Sequence, residues 1–384
     1  MNNLAWKADM PSLTPFKLER YFARYEFKVQ YLLSASDCES LSLRELLGLA
    51  DPDSLAHWEQ LRLGYTESQG HPALRAEVAR LYQTLTLDEV LILTPEEGIF
   101  IAMHTLLEPG DHVLAIAPAY QSLSEIARSI GCIITPWTFA PPESGWRLDL
   151  DQLARSFTPQ TRLLVVNFPH NPTGYLPTRT ELDAMLDLAR QHDVYVFSDE
   201  MYRLLEHDAA RRLPSVCDLY EKGITLSGLS KSFALPGLRM GWLATRAFGL
   251  MERWLAFKDY TTICHSAPSE VLALMALRAK DAILERNLSL LQANLARAES
   301  FFADYRTLFK WLKPDAGSIA FPEWMGPGTV ETFCQAALDE QGVMIVPGSI
   351  FDFPGNHFRL GLGRRNFGEA LERVRRYLLA AQLA

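Results

Sequence analysis

The chain has 384 residues, 48% of them hydrophobic and 22% charged, so it can bury more than one core, and disorder does not dominate it. A formal net charge of -9 argues against nucleic acid or an anionic membrane as the main partner, because either selects clustered Lys and Arg. Five scattered cysteines (Cys38, Cys132, Cys217, Cys264 and Cys334), an odd number with no CxxC pair, indicate neither a disulfide framework nor a zinc site.

The opening stretch, MNNLAWKADMPSL, lacks the apolar core of a secretory signal, and no later run is long enough to cross a bilayer, so a cytoplasmic protein is expected. A helical stretch from Phe16 to Tyr25 and the segment SASDCESLSLRELL follow, with no obvious sheet of their own. From Leu74 to Thr245, short β-rich runs alternate with segments of helical period, the pattern of a mainly parallel sheet covered by helices. The strands read EVLIL, HVLAIA, CIITPW, RLLVVNF, VYVFSD, ITLSG and MGWLAT. Leu182, Met185, Leu186 and Ala189 fall at i, i+3, i+4 and i+7, which predicts a crossover helix with one apolar stripe on the sheet. Beyond Thr245 come helical segments from Ala267 to about Phe309, then short strands (SIAFPEW, VMIVP, HFRLGLG) mixed with helices. The predicted α/β architecture has an N-terminal segment over 1–50 that packs with the smaller domain. A large domain over 51–275 carries the seven-stranded sheet, and a smaller α+β domain spans 276–384.

In open α/β sheets ligands collect beyond the carboxyl ends of the strands. NFPHNPTG follows one strand, Asp199 ends another in SDEMY, and Lys231 sits just after a third in SGLSKSFALPGLRMGW, so three segments deliver polar groups to one edge. That set suits pyridoxal phosphate, which needs a lysine for its aldehyde, an anion beside its ring nitrogen, a phosphate cradle and a plate against its ring. Asp199 is the candidate anion, since an opposite charge keeps the ring nitrogen protonated. Arg239, eight residues beyond Lys231, offers a fork for a phosphate. Taken alone, each has a plainer reading: Asp199 as a helix cap, Tyr120 as a core aromatic, Arg359 as a surface arginine.

Together, the NPTG motif at Asn171 to Gly174, the DExY motif at Asp199 to Tyr202 and the lysine with its downstream arginine resemble the pyridoxal-phosphate-dependent aminotransferases of fold type I, class I/II. The matching motifs run in order from Tyr65 to Arg359. The resemblance implies that Lys231 holds the cofactor as a Schiff base, that Asp199 pairs with the pyridinium, and that Asn171 and Tyr202 bond the ring's phenolic oxygen. Lys231, Asp199 and Tyr202 are the implied catalytic residues. Tyr120, in PAY, would stack on the ring. The phosphate would sit on the helix opened by TPEEGIF, with Glu96 and Glu97 in its first turn and Ser227, Ser230 and Arg239 completing the cup. Arg359 would take the substrate carboxylate, with Asn171 beside it, and Tyr65 would reach the phosphate of a neighbouring subunit in a homodimer with shared active sites. Two positions depart from the pattern: Pro95 has no N–H where one is usual, and Gly228 stands where a hydroxyl residue is common.

The implied partners are an amino acid and a 2-oxo acid. A narrower resemblance, through PAYQSL, GCIITPW, NFPHNPTG, LSKSFALPGLRMGW and VPGSIF, is to the branch that includes capreomycidine synthase, which implies cyclisation of a hydroxylated arginine as an alternative to transamination. Glu19, Asp37 and Glu39 could then meet a guanidinium or ammonium at the substrate's far end, or be solvated charge. A β-lyase would carry the same cofactor residues. A sensor domain in a transcription regulator would need a basic DNA-binding segment, and the residues before Tyr65 lack that composition.

Overall fold

The computed structural model describes residues 13–140 and 145–383, so the reading of the opening stretch as lacking a signal falls almost wholly outside the described residues. Five elements precede the central sheet: α1 (Lys17–Tyr25), β1 (Tyr31–Leu32), α2 (Leu43–Leu49), α3 (Pro52–Glu59) and α4 (Pro72–Ala79). The sheet takes β2 (Val90–Leu93), β3 (His112–Ala117), β4 (Ile133–Thr138), β5 (Thr161–Asn167), β6 (Tyr195–Asp199), β7 (Gly223–Gly228) and β8 (Gly241–Thr245). Their spatial order is β2-β8-β7-β6-β5-β3-β4. Ladders from β7 across to β4 are parallel, while β8 runs antiparallel to both of its neighbours. Every residue of β2, β7 and β8 is buried, as expected for strands covered on both faces.

The covering helices are α5 (Pro95–Leu106), α6 (Ser122–Ile130), α7 (Leu150–Ser156), α8 (Arg179–Gln191) and the short α9 (Val216–Leu219). In α8 a capping box of Thr178 and Glu181 opens the helix, and the buried residues are Leu182, Met185, Leu186 and Ala189, the stripe predicted from spacing. Burying each of the three larger side chains contributes about 1.5–3 kcal/mol. Three more helices, α10 (Leu250–Lys258), α11 (Ala267–Arg278) and the 25-residue α12 (Lys280–Asp304), lead out of the sheet. The remainder is β9 (Phe309–Lys310), β10 (Ile319–Ala320), β11 (Glu323–Trp324), α13 (Val330–Gln341), β12 (Val343–Met344), β13 (Val346–Pro347), β14 (Phe358–Gly361) and α14 (Phe367–Ala380). An apolar cluster that includes Phe301, Phe309, Phe333, Phe358 and Val374 holds these elements together.

The sequence predicts no sheet in the first fifty residues, and there the structure differs. β1 pairs in parallel with β12, Tyr31 opposite Val343 and Leu32 opposite Met344. The chain then runs on beside β14: Gly361 N donates to Leu33 O at 2.7 Å and Glu39 N to Gly363 O at 2.7 Å. A two-residue strand leaves no readable period, and its partners lie over 300 residues away in sequence. Meanwhile α1 crosses to the sheet side, where Leu18 is buried in one cluster with Leu164, Val166 and Phe351. The N-terminal segment therefore touches both halves of the molecule. Among the described residues no helix is long and apolar enough to cross a membrane, and no group of acidic, His and Cys side chains could hold a metal ion.

Candidate active site

Adjacent parallel strands bring the predicted motifs side by side. Asn167, at the end of β5, is in register with Asp199, at the end of β6, which in turn faces Leu226 of β7. The Asn167 amide donates to Asp199 O at 2.9 Å and accepts from Asn171 N at 2.8 Å, so one side chain locks the NPTG loop to the strand that carries Asp199. Nothing in the sequence marks that task for Asn167, which reads there only as part of the strand RLLVVNF before the NPTG motif. Beyond β7, Leu229 N donates to Met240 O at 3.0 Å, and the loop turns Lys231 towards the same strand ends.

These groups open on a cavity of about 530 Å³. Of the predicted residues, Lys231, Asp199, Tyr202, Asn171, Tyr120, Glu96, Ser230, Arg239, Arg359, Glu19 and Asp37 line it. Four do not. Glu97 caps its own helix by accepting from Thr94 N at 3.3 Å, and it also accepts from Thr262 Oγ1 at 2.8 Å. Ser227 is buried in β7 and donates to Glu200 O at 3.3 Å. Glu39 accepts from Arg365 N at 3.3 Å, and Tyr65 is 92% exposed. The cavity also takes Phe16, Phe22, Glu26 and Ser36, which no sequence motif marks as site residues. For Glu26 a signal existed: Glu19, Phe22 and Glu26 fall at i, i+3 and i+7 across α1 and its C-cap, one helical face. For Ser36 none did.

The Lys231 amine donates to Ser36 Oγ at 2.9 Å. Its proton affinity is depressed, chiefly by burial and further by Arg359, while Asp37, Glu19 and Asp199 pull the other way. Asp199 Oδ1 accepts from Met201 N at 3.0 Å, and burial pushes its carboxyl up to about 6, against the Met201 hydrogen bond and Lys231, which hold it down. Burial raises Glu96 to about 7, with the nearby Glu19 and Asp199 adding to the shift and Ser122 and Arg239 opposing it. Arg359 is 1% exposed; its Nε and Nη2 both donate to Ser34 O, at 3.1 and 2.9 Å, and Nη1 reaches Asn171 Oδ1 at 3.4 Å. Tyr120 donates its hydroxyl to Glu19 Oε1 at 2.9 Å and sets its ring 4.8 Å from that of Phe16. Arg239 takes the left-handed backbone conformation, φ 54°, unusual for a non-glycine residue, at the end of the turn Pro236–Leu238.

The departures from the expected motif have local causes. At Gly228 a Cβ would meet Met240 O at 2.8 Å and the Gly241 Cα at 3.0 Å, so β7 and β8 approach too closely for any side chain there. Pro95 occupies the first turn of α5, where its missing N–H costs the helix nothing.

Two observations test the site against pyridoxal phosphate. The Tyr202 hydroxyl, on a residue 3% exposed, has the Ser36 hydroxyl beside it but makes no hydrogen bond of ordinary geometry among the described residues, so it can turn to donate to an oxygen placed in the cavity. Asp199 is a buried carboxylate that a cationic ring nitrogen would satisfy. The donor set fits: an amine, an anion, an arginine pair and an aromatic face share one cavity.

Comparison with known proteins agrees with that chemistry. The family described as aminotransferase class I and II matches residues 33–374. Capreomycidine synthase of Streptomyces vinaceus is 31% identical over 348 residues, 90% of this chain and 88% of that protein. Among solved structures, a PLP-dependent aminotransferase from Streptococcus suis 89-1591 aligns with a TM-score of 0.90 at 30% identity, covering 96% of this chain and 98% of the other. The PLP-dependent cyclase OrfR aligns with a TM-score of 0.88 at 28% identity, with the same two shares.

Proposed function

The chain belongs to the class I and II aminotransferases, pyridoxal-phosphate enzymes of fold type I, and from that premise we propose that it moves the amino group of an L-amino acid to a 2-oxo acid, with Lys231 as the cofactor-bearing amine. One observation carries the reading: the Lys231 amine, the Asp199 carboxylate and the Arg359 guanidinium line the same cavity. When bound, the cofactor supplies an electron sink for the substrate's α-carbon. Asp199 holds the ring nitrogen in its protonated form by opposite charge. Asn171 and Tyr202 would donate to the ring's phenolic oxygen, and Tyr120 would supply an aromatic face for the ring. Ser230 and Arg239 would hold the phosphate together with the first turn of α5. Arg359, its Nε and Nη2 spent on Ser34 O, has only a long 3.4 Å contact from Nη1 to Asn171 Oδ1, and would turn that nitrogen and its charge to the substrate carboxylate. Lys231, once free, works as acid and base on the α-carbon proton, and burial suits it to that task because it favours the neutral amine.

Glu19 and Glu26 project from one face of α1 and its C-cap into the cavity, with Asp37 beside them, which favours a substrate whose side chain ends in a cation. Asp37 is already paired to Arg364 at 2.9 Å, so the two glutamates are the better candidates. The same acidic wall supports a second reading, cyclisation of a hydroxylated arginine, in keeping with the two relatives named for a synthase and a cyclase. Tyr65 and Tyr260, each 92% exposed, stand on segments tied together by the Thr66 hydroxyl and His265 O at 3.2 Å. Those two exposed aromatics suit a homodimer in which Tyr65 reaches the partner's phosphate, and full activity in a strict monomer would remove the assignment. Five unpaired cysteines fit a reducing cytoplasm.

The test is a product assay on the purified enzyme with arginine, lysine, hydroxyarginine, aspartate and phenylalanine, each with and without a 2-oxo acid acceptor. Transamination predicts a keto acid from the donor, an amino acid from the acceptor, and ping-pong kinetics. Product formed without any acceptor would move the assignment to cyclisation or elimination.

A further inference from the structure

The stretch from Leu33 to Cys38 is fixed on several sides at once. Ser34 O takes two donors of Arg359, Ser36 O accepts from Ser318 Oγ at 2.7 Å, and Asp37 Oδ1 accepts from Arg364 Nη2 at 2.9 Å. Its backbone also lies flush on β14 and the residues after it: a Cβ on Gly361 would meet Ala35 O at 2.0 Å, and one on Gly363 would meet Asp37 O at 2.3 Å. With the backbone held so closely, the Ser36 hydroxyl is presented to the cavity at a set place. Two groups meet it there: the Lys231 amine, at 2.9 Å, and the otherwise unpartnered Tyr202 hydroxyl, which faces the same serine.

We infer that Ser36 is a positioning residue for Lys231: it accepts a hydrogen bond from the free amine and so sets where that amine rests, and how readily it gives up its proton, whenever it is not joined to the cofactor. The proposal rests on the reading of Lys231 as the cofactor-bearing amine and adds a residue to it. A lysine on a flexible four-carbon stem has many rotamers, and one fixed acceptor selects among them. The acceptor also favours the ammonium form, since the oxygen takes a hydrogen bond from a cation, and burial works against that form. The charged groups around the amine, Asp37, Glu19, Asp199 and Arg359, stay in place when only Ser36 is changed.

The experiment follows the amine directly. Full-length enzyme freed of cofactor is labelled with trace acetic anhydride across a pH series, and the modification of Lys231 is read by peptide mass spectrometry for the parent, Ser36→Ala and Ser36→Thr proteins. Losing the acceptor should lower the labelling midpoint of Ser36→Ala by about one pH unit, the size expected for a hydrogen bond to a charged group, while Ser36→Thr keeps the parental midpoint. Should the alanine protein fail to melt cooperatively, Ser36→Gly reads the same loss of the hydroxyl. A midpoint that stays at the parental value without the hydroxyl, or that falls equally in Ser36→Thr, overturns the proposal. Borohydride reduction of the cofactor-loaded parent, with the modified residue mapped, separately reports whether Lys231 bears the cofactor, so the two claims can fail independently.

Discussion

Asp199 separates the catalytic reading from the structural one most sharply. Its carboxylate accepts a hydrogen bond from Met201 N, the local pattern of an ordinary capping residue, yet it also lines the cavity with Lys231. In Asp199→Asn the shape and the hydrogen bond survive, while the charge opposite the ring nitrogen disappears. Turnover should fall at least about 100-fold, the scale of removing a few kcal/mol of charge stabilisation from a transition state, with cofactor still bound. A pure cap would lose about 1 kcal/mol of stability and little rate, so kcat measured beside melting temperature decides between them. That Lys231, Asp199, Asn171 and Arg359 gather in one cavity was legible in the sequence because each sits in a motif with fixed neighbours. Ser36 and Glu26 were not, because a lone serine in SASDCES or a glutamate at a helix end has nothing beside it to mark a task. What gives them one is a chain segment folded back from far away.

The seven strands of the sheet were readable element by element, the inner ones as short β-rich runs buried on both faces, and β4 in spite of lying at the edge with most of its residues at least partly exposed. Their spatial order and the reversed direction of β8 were not readable, because no periodicity records which strand lies beside which. The two-residue strands of the C-terminal part are set by partners, such as β1 against β12, whose contacts leave no local pattern. At this scale the contact between residues 33–38 and β14 makes its own prediction. In Gly361→Ala the new Cβ would meet a backbone oxygen that cannot rotate away, so the 33–38 stretch must shift and carry Ser34 O off Arg359. Stability should drop by about 1–3 kcal/mol, and KM for the amino acid should rise more than kcat falls, because Arg359 loses its support. Parental melting temperature together with parental KM would contradict that account.

Over the whole molecule, the buried acids of the cavity tie stability to pH and to the cofactor. Burial raises Asp199 from 3.8 to about 6, so its contribution is present in full below the unfolded value near 4 and is lost as pH rises through about 6. The difference of roughly two pH units corresponds to about 3 kcal/mol, and Glu96, raised to about 7, extends the same loss upward. Urea unfolding of the cofactor-free chain should therefore show stability declining between about pH 4 and pH 7. With pyridoxal phosphate bound, a cation opposite Asp199 reverses its preference and the decline should shrink; identical pH profiles for the two forms would contradict the pairing. All of this depends on which amine holds the cofactor. Reducing the loaded enzyme with borohydride and mapping the fixed pyridoxyl group by mass spectrometry tests that claim most directly. The group is expected on Lys231, and a cofactor fixed on another lysine, or released without being fixed, would contradict the account.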